Sequence, residues 1–497
     1  MSNEQEPRAA QAHFESRLAK LERLRERGVD PYPRRTERTH TSSEARALFE
    51  DDENTEHGVA VVGRLMTMRG MGRLTFATLR DGSGDIQVSF ARDRFDPDDY
   101  QALKDLDLGD FLGVSGTLYR TRTGEVTVQA DSYSVLGKAL RPPPEKWHGL
   151  RNVEQRYRQR YLDLMANDEV REIFVVRSAV VSAIRRFMED RGFIEAETPV
   201  LVPVAAGAMA APFVTRHNAL DRQLFLRIAT ELNLKKLLVG GFERVFEIGR
   251  IFRNEGIDAA HNPEFTTMES YEAYASYTDV MEMVESLVHQ LVMLTHGKST
   301  VTYDGQEIDL APPWRRLPLI DAIREWSEID LLSEEMRTAD GLRAAMRERG
   351  LTPAEDSSWP QLVDKLIGDL VEPRLIQPTF LLDYPIEMTP LAKATEGDAR
   401  LVERFEGFIG GMEVANSFTE LNDPIEQAAR LQAQEENREQ FRDEDFDRLD
   451  EDFVTAVEHG MPPAGGLGLG IDRLVMILTG QTTIREVVLF PQLRTLE

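Results

Sequence analysis

The sequence predicts an α+β protein in which a small β-barrel precedes a larger domain built on an antiparallel sheet flanked by helices. Over residues 58–137, short runs rich in Val, Leu, Phe and Thr are separated by glycine-containing turn signals, which is typical of a barrel. Three consecutive prolines, Pro142 to Pro144, then indicate a boundary. Beyond them long helices and strands follow without regular alternation, which favours an antiparallel sheet over a parallel one. A length of 497 residues fits two or more domains.

The elements of the first part follow from hydrophobic spacing and breaker residues. Apolar residues at helical spacing predict a helix over 8–28, and a shorter one is expected near 42–50. Five strands are predicted over 58–137, with a helix at 97–106 between the third and the fourth. That order is the order of an OB-fold, which binds oligonucleotides on an open face. A generic small β-barrel is the alternative.

Composition excludes several classes of protein. The chain has no cysteine, so disulfides, thiolate metal sites and a cysteine nucleophile are excluded. It contains no apolar run long enough to cross a bilayer, and its first residues are polar, so a cytoplasmic protein without a membrane partner is expected. The net charge of −27 lies mostly beyond residue 150 and argues against indiscriminate nucleic-acid coating. The nearly balanced first part is the one that could contact a polyanion.

The remainder of the chain is predicted as one domain with a few clear elements. The expected elements are helices at 171–191 and 471–479 and strands at 243–253, 264–274, 379–384 and 406–418. The resulting division is a helical extension (1–57), an OB-fold barrel (58–140), a linker (141–152) and an α+β domain (153–497).

The first chemical constellation is the segment 252–265. A strand ends in Arg253, a polar loop follows, and a second strand carries Phe265, Glu269 and Tyr271 at one parity, hence on one face. An aromatic plane, a carboxylate, a phenol and a fixed guanidinium suit an anionic group with a cationic neighbour. A surface hairpin with scattered charges is the alternative.

The second constellation, residues 465–476, is rich in glycine and leads into a helix. Small residues allow close backbone approach, the helix start offers free N–H groups, and Arg473 lies one turn inside. The segment lacks the preceding buried strand and the following acidic residue of a βαβ unit, so a dinucleotide-binding fold is disfavoured.

The third constellation, residues 410–423, carries acids. Asn416, Phe418 and Glu420 alternate on one strand face, and Glu413 precedes Glu420 by seven residues. Two carboxylates without Cys or His suit a hard cation such as Mg²⁺ beside phosphates. The odd spacing places the two acids on opposite faces of an ideal strand, so a shared metal requires a bulge between them. Solvent-facing acids are the alternative.

These three segments, in this order, resemble the class II aminoacyl-tRNA synthetases. RGFIEAETPVL (191–201) is similar to motif 1, FRNEGI with HNPEF (252–265) to motif 2, and GLGLGIDRL (466–474) to motif 3. FIGGMEVANSFTELND (408–423), QPTFLLDYPIEMTPLAK (377–393) and LMTMRGMGRLTF (65–76) resemble the bacterial-type lysine enzymes in particular. The resemblance covers nearly the whole chain. It implies an OB-fold anticodon-binding domain, a class II catalytic sheet flanked by helices, and a homodimer with Pro199 at its interface.

The resemblance also implies substrates and site residues. The substrates would be ATP, L-lysine and tRNA(Lys), with Mg²⁺ as the cofactor. The residues implied are Arg253 and Arg473 for catalysis; Arg253, Glu255, His261, Asn262, Phe265 and Arg473 for ATP; Glu231, Arg253, Glu269, Tyr271, Asn416, Phe418 and Glu420 for lysine; Arg69, Phe76 and Gln87 for the anticodon; and Glu413 and Glu420 for the metal. An acidic pocket with a phenol also fits a substrate with two ammonium groups on physical grounds.

The chain departs from the family pattern at five positions. Ala206 replaces a glycine and Ala211 an arginine, and the other departures are Arg216, Thr230 and Met412, where histidine, proline and arginine are usual. The alternatives are therefore a paralogue that binds tRNA or nucleotide as a regulatory protein, and a sister class II enzyme for aspartate or asparagine. The acidic pocket favours lysine over both of those amino acids.

Overall fold

The computed structural model describes residues 5–52, 55–144, 150–208, 210–441 and 450–495. The chain divides into two units, Met1–Arg151 and Asn152–Glu497. Part of the predicted linker, residues 145–149, lies outside the described residues, and the domain boundaries predicted above stay predictions. No helix in the described part of the chain is long and apolar enough to span a bilayer.

The first unit is a five-stranded closed barrel with a helical extension. Its elements are α1 (Gln5–Glu26), α2 (Ser42–Asp51), β1 (Gly58–Met71), β2 (Leu74–Asp81), β3 (Gly84–Ala91), α3 (Pro97–Ala102), β4 (Phe111–Arg120) and β5 (Val126–Gly137). The strand order β1-β2-β3-β5-β4, closed by β1 against β4 and with α3 between β3 and β4, confirms the OB-fold prediction.

The helical extension is fastened to the barrel by its own side chains. Leu24 of α1 joins the buried core cluster of the barrel, and the Arg23 guanidinium donates to the Asp105 carboxylate at 2.7 Å. Lys20 donates to Asp107 at 2.7 Å in the same way. The extension and the barrel therefore pack as one unit.

The second unit is built on an eight-stranded sheet with the order β14-β15-β16-β17-β18-β11-β10-β6. Its elements are α4 (Val153–Arg158), α5 (Arg160–Ala166), α6 (Asp168–Glu189), β6 (Ile194–Glu195), β7 (Leu201–Val202), β8 (Val214–His217), β9 (Arg222–Leu226), α7 (Glu231–Val239), β10 (Arg244–Phe252), β11 (Glu264–Ala273), α8 (Tyr277–His296), β12 (Thr300–Tyr303), β13 (Gln306–Asp309), β14 (Arg315–Pro318), α9 (Leu319–Ser327), α10 (Ala339–Glu348), α11 (Trp359–Leu366), β15 (Thr379–Pro385), β16 (Leu401–Ile409), β17 (Met412–Thr419), α12 (Pro424–Phe441), α13 (Glu451–Glu458), β18 (Ala464–Gly470), α14 (Ile471–Thr479) and α15 (Ile484–Val487). All pairings from β15 to β10 are antiparallel, whereas the outermost pairs, β14 with β15 and β10 with β6, are parallel.

One face of this sheet is covered by helices. Apolar side chains of α6, α8 and α14 pack on sheet residues such as Phe246, Met268 and Leu467 to form the largest buried cluster. Because strand side chains alternate between faces, residues of the opposite parity, including Glu269, Tyr271 and Phe418, face away from that cluster. The predicted site residues on these strands therefore share the face opposite α6, α8 and α14. We call it the open face, although α7 and α13 pack on part of it.

Two predicted elements differ from those observed. The predicted strand 406–418 is a hairpin, because Gly410 and Gly411 adopt positive φ angles of 63° and 74° and turn the chain between β16 and β17. The glycine-rich segment 465–470 is itself a buried central strand, β18, rather than only a helix entrance that lacks a strand. Two rows of hydrogen bonds, to β11 and β17, hold it in the sheet despite its weak strand propensity.

Candidate active site

Arg253 lies at the junction of the two ends of the open face. It follows β10, and its N–H donates to the Pro263 carbonyl at 2.9 Å, which closes the loop between β10 and β11. Its guanidinium carbon is 5.3 Å from the centroid of the Phe265 ring. The same guanidinium is close enough to Glu269 to oppose the rise that burial causes in the pKa of that carboxyl. One cation can therefore act on both an aromatic-bound anion and an acidic pocket.

At one end, the loop between β10 and β11 reaches the first turn of α14. The His261 Nε2 lies 3.0 Å from the Arg473 Nη2, while its Nδ1 is 2.8 Å from the Asp258 carboxylate. Arg473 Nη1 also donates to the Glu413 carbonyl at 2.8 Å and to its carboxylate at 3.1 Å. Motifs 2 and 3 and strand β17 thus converge on Arg473.

The two remaining predicted nucleotide residues differ in burial. The Asn262 side chain is buried and donates to the Glu264 carbonyl at 2.6 Å, and its Oδ1 accepts no hydrogen bond within the described residues. Glu255 is exposed in the loop. The Asn262 oxygen therefore remains available to a ligand, whereas Glu255 is in contact with solvent.

At the other end, three carboxylates surround a buried phenol. Burial, together with the negative charges of Glu231, Glu269 and Glu420, raises the pKa of Tyr271 well above its ordinary value. Burial also raises the pKa of Glu269 to about 7, although the backbone N–H of Thr230, which donates to both its oxygens at 3.2 and 3.3 Å, opposes the shift. Burial likewise acts to raise the pKa of Glu420, and the ammonium of Lys235 opposes that rise. The predicted lysine residues are therefore brought together as an acidic pocket.

The glycine-rich strand makes this pocket possible. A Cβ atom at Gly466 would lie 2.0 Å from the Glu420 Oε1 and 2.5 Å from the Tyr271 ring. Across the strand, Gly466 pairs with Tyr271 on one side and with Phe418 on the other. The missing side chain thus provides the space into which the carboxylate and the phenol project.

Asn416 and Phe418 complete the floor of the open face. They pair with Gly468 and Gly466 of β18, and the Oδ1 of Asn416 is buried without a hydrogen-bond partner in the described part of the chain. On the next strand, the Arg404 guanidinium lies 5.5 Å from the Phe418 ring and donates to Glu406 at 2.5 Å. Arg404 and Glu406 were not among the residues predicted from the sequence. Their even spacing in β16 could have placed them on the same face as each other.

The structure does not bring Glu413 and Glu420 to one cation. The expected bulge is present, since Phe408 pairs with Glu413 but Gly407 pairs with Ala415, so the two acids are on one face. They are nevertheless separated along β17 by roughly 20 Å at the rise of an extended strand. Glu413 pairs with Arg473, whereas Glu420 pairs with Lys235 at 2.5 Å.

Glu413 instead affects the pKa values of three other acids, Glu406, Glu372 and Asp364. Burial raises the pKa of Glu406 to about 7, and burial likewise raises the pKa values of Glu372 and Asp364; Glu413 adds to all three shifts. Among the described residues, no group of three such donors is already converged as a metal site. Excess negative charge and oxygen donors around Glu413 nevertheless fit a hard cation.

The five departures from the family pattern have local consequences. The Ala211 carbonyl accepts from the Asn254 N–H at 2.7 Å, and Ala206 packs on the cluster around Leu232. Thr230 supplies the N–H to Glu269 that a proline would lack. Met412 packs against the main core, and Arg216 pairs with Asp221 at the surface.

In the barrel, the three predicted anticodon residues share one outer surface. Arg69 pairs directly with Phe76 across β1 and β2, and Gln87 pairs with Thr78 on the neighbouring strands. Arg69 is exposed and Phe76 is half-buried and does not belong to the buried core cluster of the barrel, which contains Ala77 and Leu79 instead. Phe76 therefore faces outward, where a base could stack on it.

Comparisons with known proteins agree with this geometry. The family model for class II tRNA synthetases (D, K and N) matches residues 152–494, and the model for the OB-fold nucleic acid binding domain matches residues 59–136. Fold and site thus define a class II tRNA synthetase.

Curated relatives narrow the class. Proteins named lysine–tRNA ligase are 52% identical in Dehalococcoides mccartyi (97% of each chain), 49% in Pelotomaculum thermopropionicum (97% of this chain and 94% of the relative) and 48% in Enterococcus faecalis (97% and 99%). The chain belongs to the lysine–tRNA ligase family. That family is ATP-dependent.

Proposed function

We propose that this protein activates L-lysine with ATP and transfers it to the 3′ end of tRNA(Lys). The observation that carries the proposal is the acidic pocket, in which Glu231, Glu269 and Glu420 surround the Tyr271 phenol. Buried carboxylates need a charged partner, and a diamino acid supplies two ammonium groups. Arg253 at the mouth of the pocket supplies the positive charge for the carboxylate of the same substrate.

The first step is the attack of the lysine carboxylate on the α-phosphorus of ATP, with pyrophosphate as the leaving group. Arg253 would hold the carboxylate and the α-phosphate together, Phe265 would stack on adenine, and Arg473 would bind the γ-phosphate. His261, which contacts Arg473, and Asn262, with its free oxygen, would hold ATP alongside Glu255. The protein's contribution is position and charge neutralisation rather than covalent chemistry.

In the second step, a ribose hydroxyl of the tRNA end takes the lysyl group from the adenylate. The barrel would secure the correct tRNA, with Phe76 stacked on an anticodon base and Arg69 and Gln87 beside it. This proposal places tRNA selection in the first unit and the chemistry in the second.

Mg²⁺ is the proposed cofactor, held by Glu413 together with Glu406 rather than Glu420. The carboxylates of Glu406, Glu372 and Asp364 all carry raised pKa values to which Glu413 contributes, and a cation would relieve that excess charge. When bound, Mg²⁺ supplies neutralisation of the pyrophosphate charge.

A homodimer in the cytoplasm is the proposed working form. Ile194, Val200 and Leu201, which flank Pro199, are about half exposed, and such an apolar group at the surface suits a second copy. A sedimentation measurement that returns only monomer at micromolar concentration would contradict the dimer.

Lysine-dependent exchange of pyrophosphate into ATP tests the proposed activity. We expect exchange with lysine and none with aspartate or asparagine, since their carboxyl or amide groups would face three acids. Exchange with aspartate or asparagine instead would identify a sister enzyme. ATP binding without exchange with any of the three amino acids would indicate a nucleotide-binding regulatory paralogue.

A further inference from the structure

Lys235 is a buried ammonium group within the pocket that is proposed to bind a substrate ammonium. It lies one helical turn after Glu231 in α7, its side chain is fully buried, and its Nζ is 2.5 Å from both the Glu231 Oε1 and the Glu420 Oε2. The rings of Tyr271 and Phe453 lie 5.8 and 5.9 Å from the same nitrogen. An ammonium withdrawn from water persists in such a place only when carboxylates or ring faces replace its hydration.

This residue changes the charge of the pocket. Glu231, Glu269 and Glu420 would together carry three negative charges when ionised, and Lys235 cancels one of them. Glu269 forms no ion pair within the described residues, and its oxygens accept from the Thr230 N–H. Two negative charges thus remain for the ammonium groups of a ligand. The positive charge of Arg253 is not counted against them, because the proposed function assigns it to the ligand's carboxylate.

We propose that Lys235 is a specificity-determining positioning residue, a built-in counter-cation that leaves the pocket with two uncompensated negative charges, one for each ammonium group of a diamino acid. This inference rests on the proposed function, because the number of charges to be matched is that of lysine. Lys235 also opposes the rise that burial causes in the pKa of Glu420, since an ammonium 2.5 Å from a carboxylate favours its ionised form.

A purely structural role for Lys235 makes different predictions. If its function were only to fill space and satisfy two acids, every substitution would lower the stability and both substrates would be affected. If its function is to set the charge, its removal should affect lysine alone, and the effect should reverse when one carboxylate is removed as well.

The first comparison is Lys235→Met against Lys236→Met. Both residues belong to α7, but the ammonium of Lys236 pairs with Asp452 at 2.7 Å at the surface. For Lys235→Met we expect the KM for lysine at pH 7 to rise about tenfold or more while the KM for ATP is unchanged. The lysine KM should also depend more steeply on pH, since Glu420, which shares the pocket with Glu231, Glu269 and the Tyr271 phenol, then loses the ammonium that opposes the rise in its pKa. Lys236→Met should match the parent protein.

The second comparison uses a sign reversal. Glu420→Gln alone leaves Glu231, Glu269 and Lys235, whose net charge of −1 is too little for two ammonium groups. Adding Lys235→Met to that variant restores a net charge of −2, so the double variant should have a lower KM for lysine than Glu420→Gln alone. The double variant also replaces both members of a buried ion pair by neutral groups, which preserves folding where removal of one member does not.

Three results would overturn the inference. They are an unchanged lysine KM in Lys235→Met, parallel losses for lysine and ATP, and a double variant that binds lysine more weakly than Glu420→Gln. Should Lys235→Met fail to fold, the comparison of the double variant with Glu420→Gln decides alone. Failure of the proposed function is distinguishable, because the parent protein would then show no lysine-dependent exchange in any of these experiments.

Discussion

The two ends of the open sheet face are built in opposite ways. At the nucleotide end, Arg473, His261 and Glu413 are partly exposed and pair with one another, so an arriving triphosphate can exchange these contacts for its own. At the amino-acid end, Glu420 and Lys235 are fully buried and already matched in charge. Affinity for a common anion therefore needs only solvent-accessible cations, whereas recognition of one amino acid needs a buried, water-excluded pocket with a fixed charge.

Arg253 belongs to both ends, and its removal should have the largest effect. Arg253→Ala is expected to lower pyrophosphate exchange by roughly 10²–10³-fold, because one preorganised donor on a developing charge is lost. Circular dichroism should show a folded protein. Arg250→Ala, whose side chain is exposed on the opposite face of the same strand, is the control and should keep its exchange rate. An Arg253→Ala variant with near-normal exchange would remove Arg253 from the chemistry.

Two glycines of β18, Gly466 and Gly468, differ in the space that the pocket needs from them. Gly466→Ala should raise the lysine KM by roughly tenfold or more and lower the melting temperature, since the added methyl group meets Glu420 and Tyr271. At Gly468 a Cβ atom would have only the Asn416 carbonyl nearby, at 3.8 Å. Gly468→Ala should therefore leave the melting temperature nearly unchanged, and equal melting temperatures for both variants would contradict the steric account of Gly466.

The barrel should contribute to neither end. Phe76→Ala is expected to weaken tRNA charging by the equivalent of about 1–3 kcal/mol of base stacking and to spare pyrophosphate exchange. Phe90→Ala is the contrasting variant, because Phe90 is fully buried in the barrel core and its loss should lower stability by about 3–5 kcal/mol. A Phe76→Ala protein that loses as much stability as Phe90→Ala would show that Phe76 is a core residue and not a base-stacking one.

The smallest expected effect concerns Thr230. Burial raises the pKa of Glu269 to about 7, and the Thr230 N–H opposes that rise. Thr230→Pro removes the donor, so the pKa should rise further and Glu269 should be protonated at a higher pH. Since a protonated acid does not attract an ammonium, kcat/KM for lysine should fall a few-fold at pH 7 and recover at pH 8 to 9. Thr230→Ser, which keeps both the N–H and the hydroxyl that lower this pKa, should retain the parent pH profile; identical profiles for Thr230→Pro and the parent protein would contradict the assignment.

The sequence predicted the secondary structure around the site better than the pairing of its buried side chains. The barrel strands and the shared parity of Phe265, Glu269 and Tyr271 follow from local spacing. The bulge near Glu413 was expected only as a condition for a shared metal. The pairing of Glu420 with Lys235, rather than with a metal beside Glu413, depends on residues almost 200 positions apart. No local pattern contains that distance.

Two further features were present in the sequence but needed the fold to acquire meaning. Lys235 stands four residues after Glu231, a spacing that predicts an ion pair on a helix, yet only the packing of α7 on β11 shows that this pair is buried. The glycines of 465–470 indicated close backbone approach before a helix. Glycine is depleted in strands, and pairing with β11 and β17 on both sides overrides that preference.

The central claim is that buried carboxylates bind the two ammonium groups of lysine. Proton release on lysine binding tests that claim most directly. Glu269, with a pKa of about 7, is partly protonated at neutral pH, and an arriving ammonium displaces that proton. Calorimetric titration of the protein with lysine at pH 7, in buffers of different ionisation enthalpy, should show release of roughly half a proton per lysine. Heats that do not depend on the buffer, or that show proton uptake, would contradict the account.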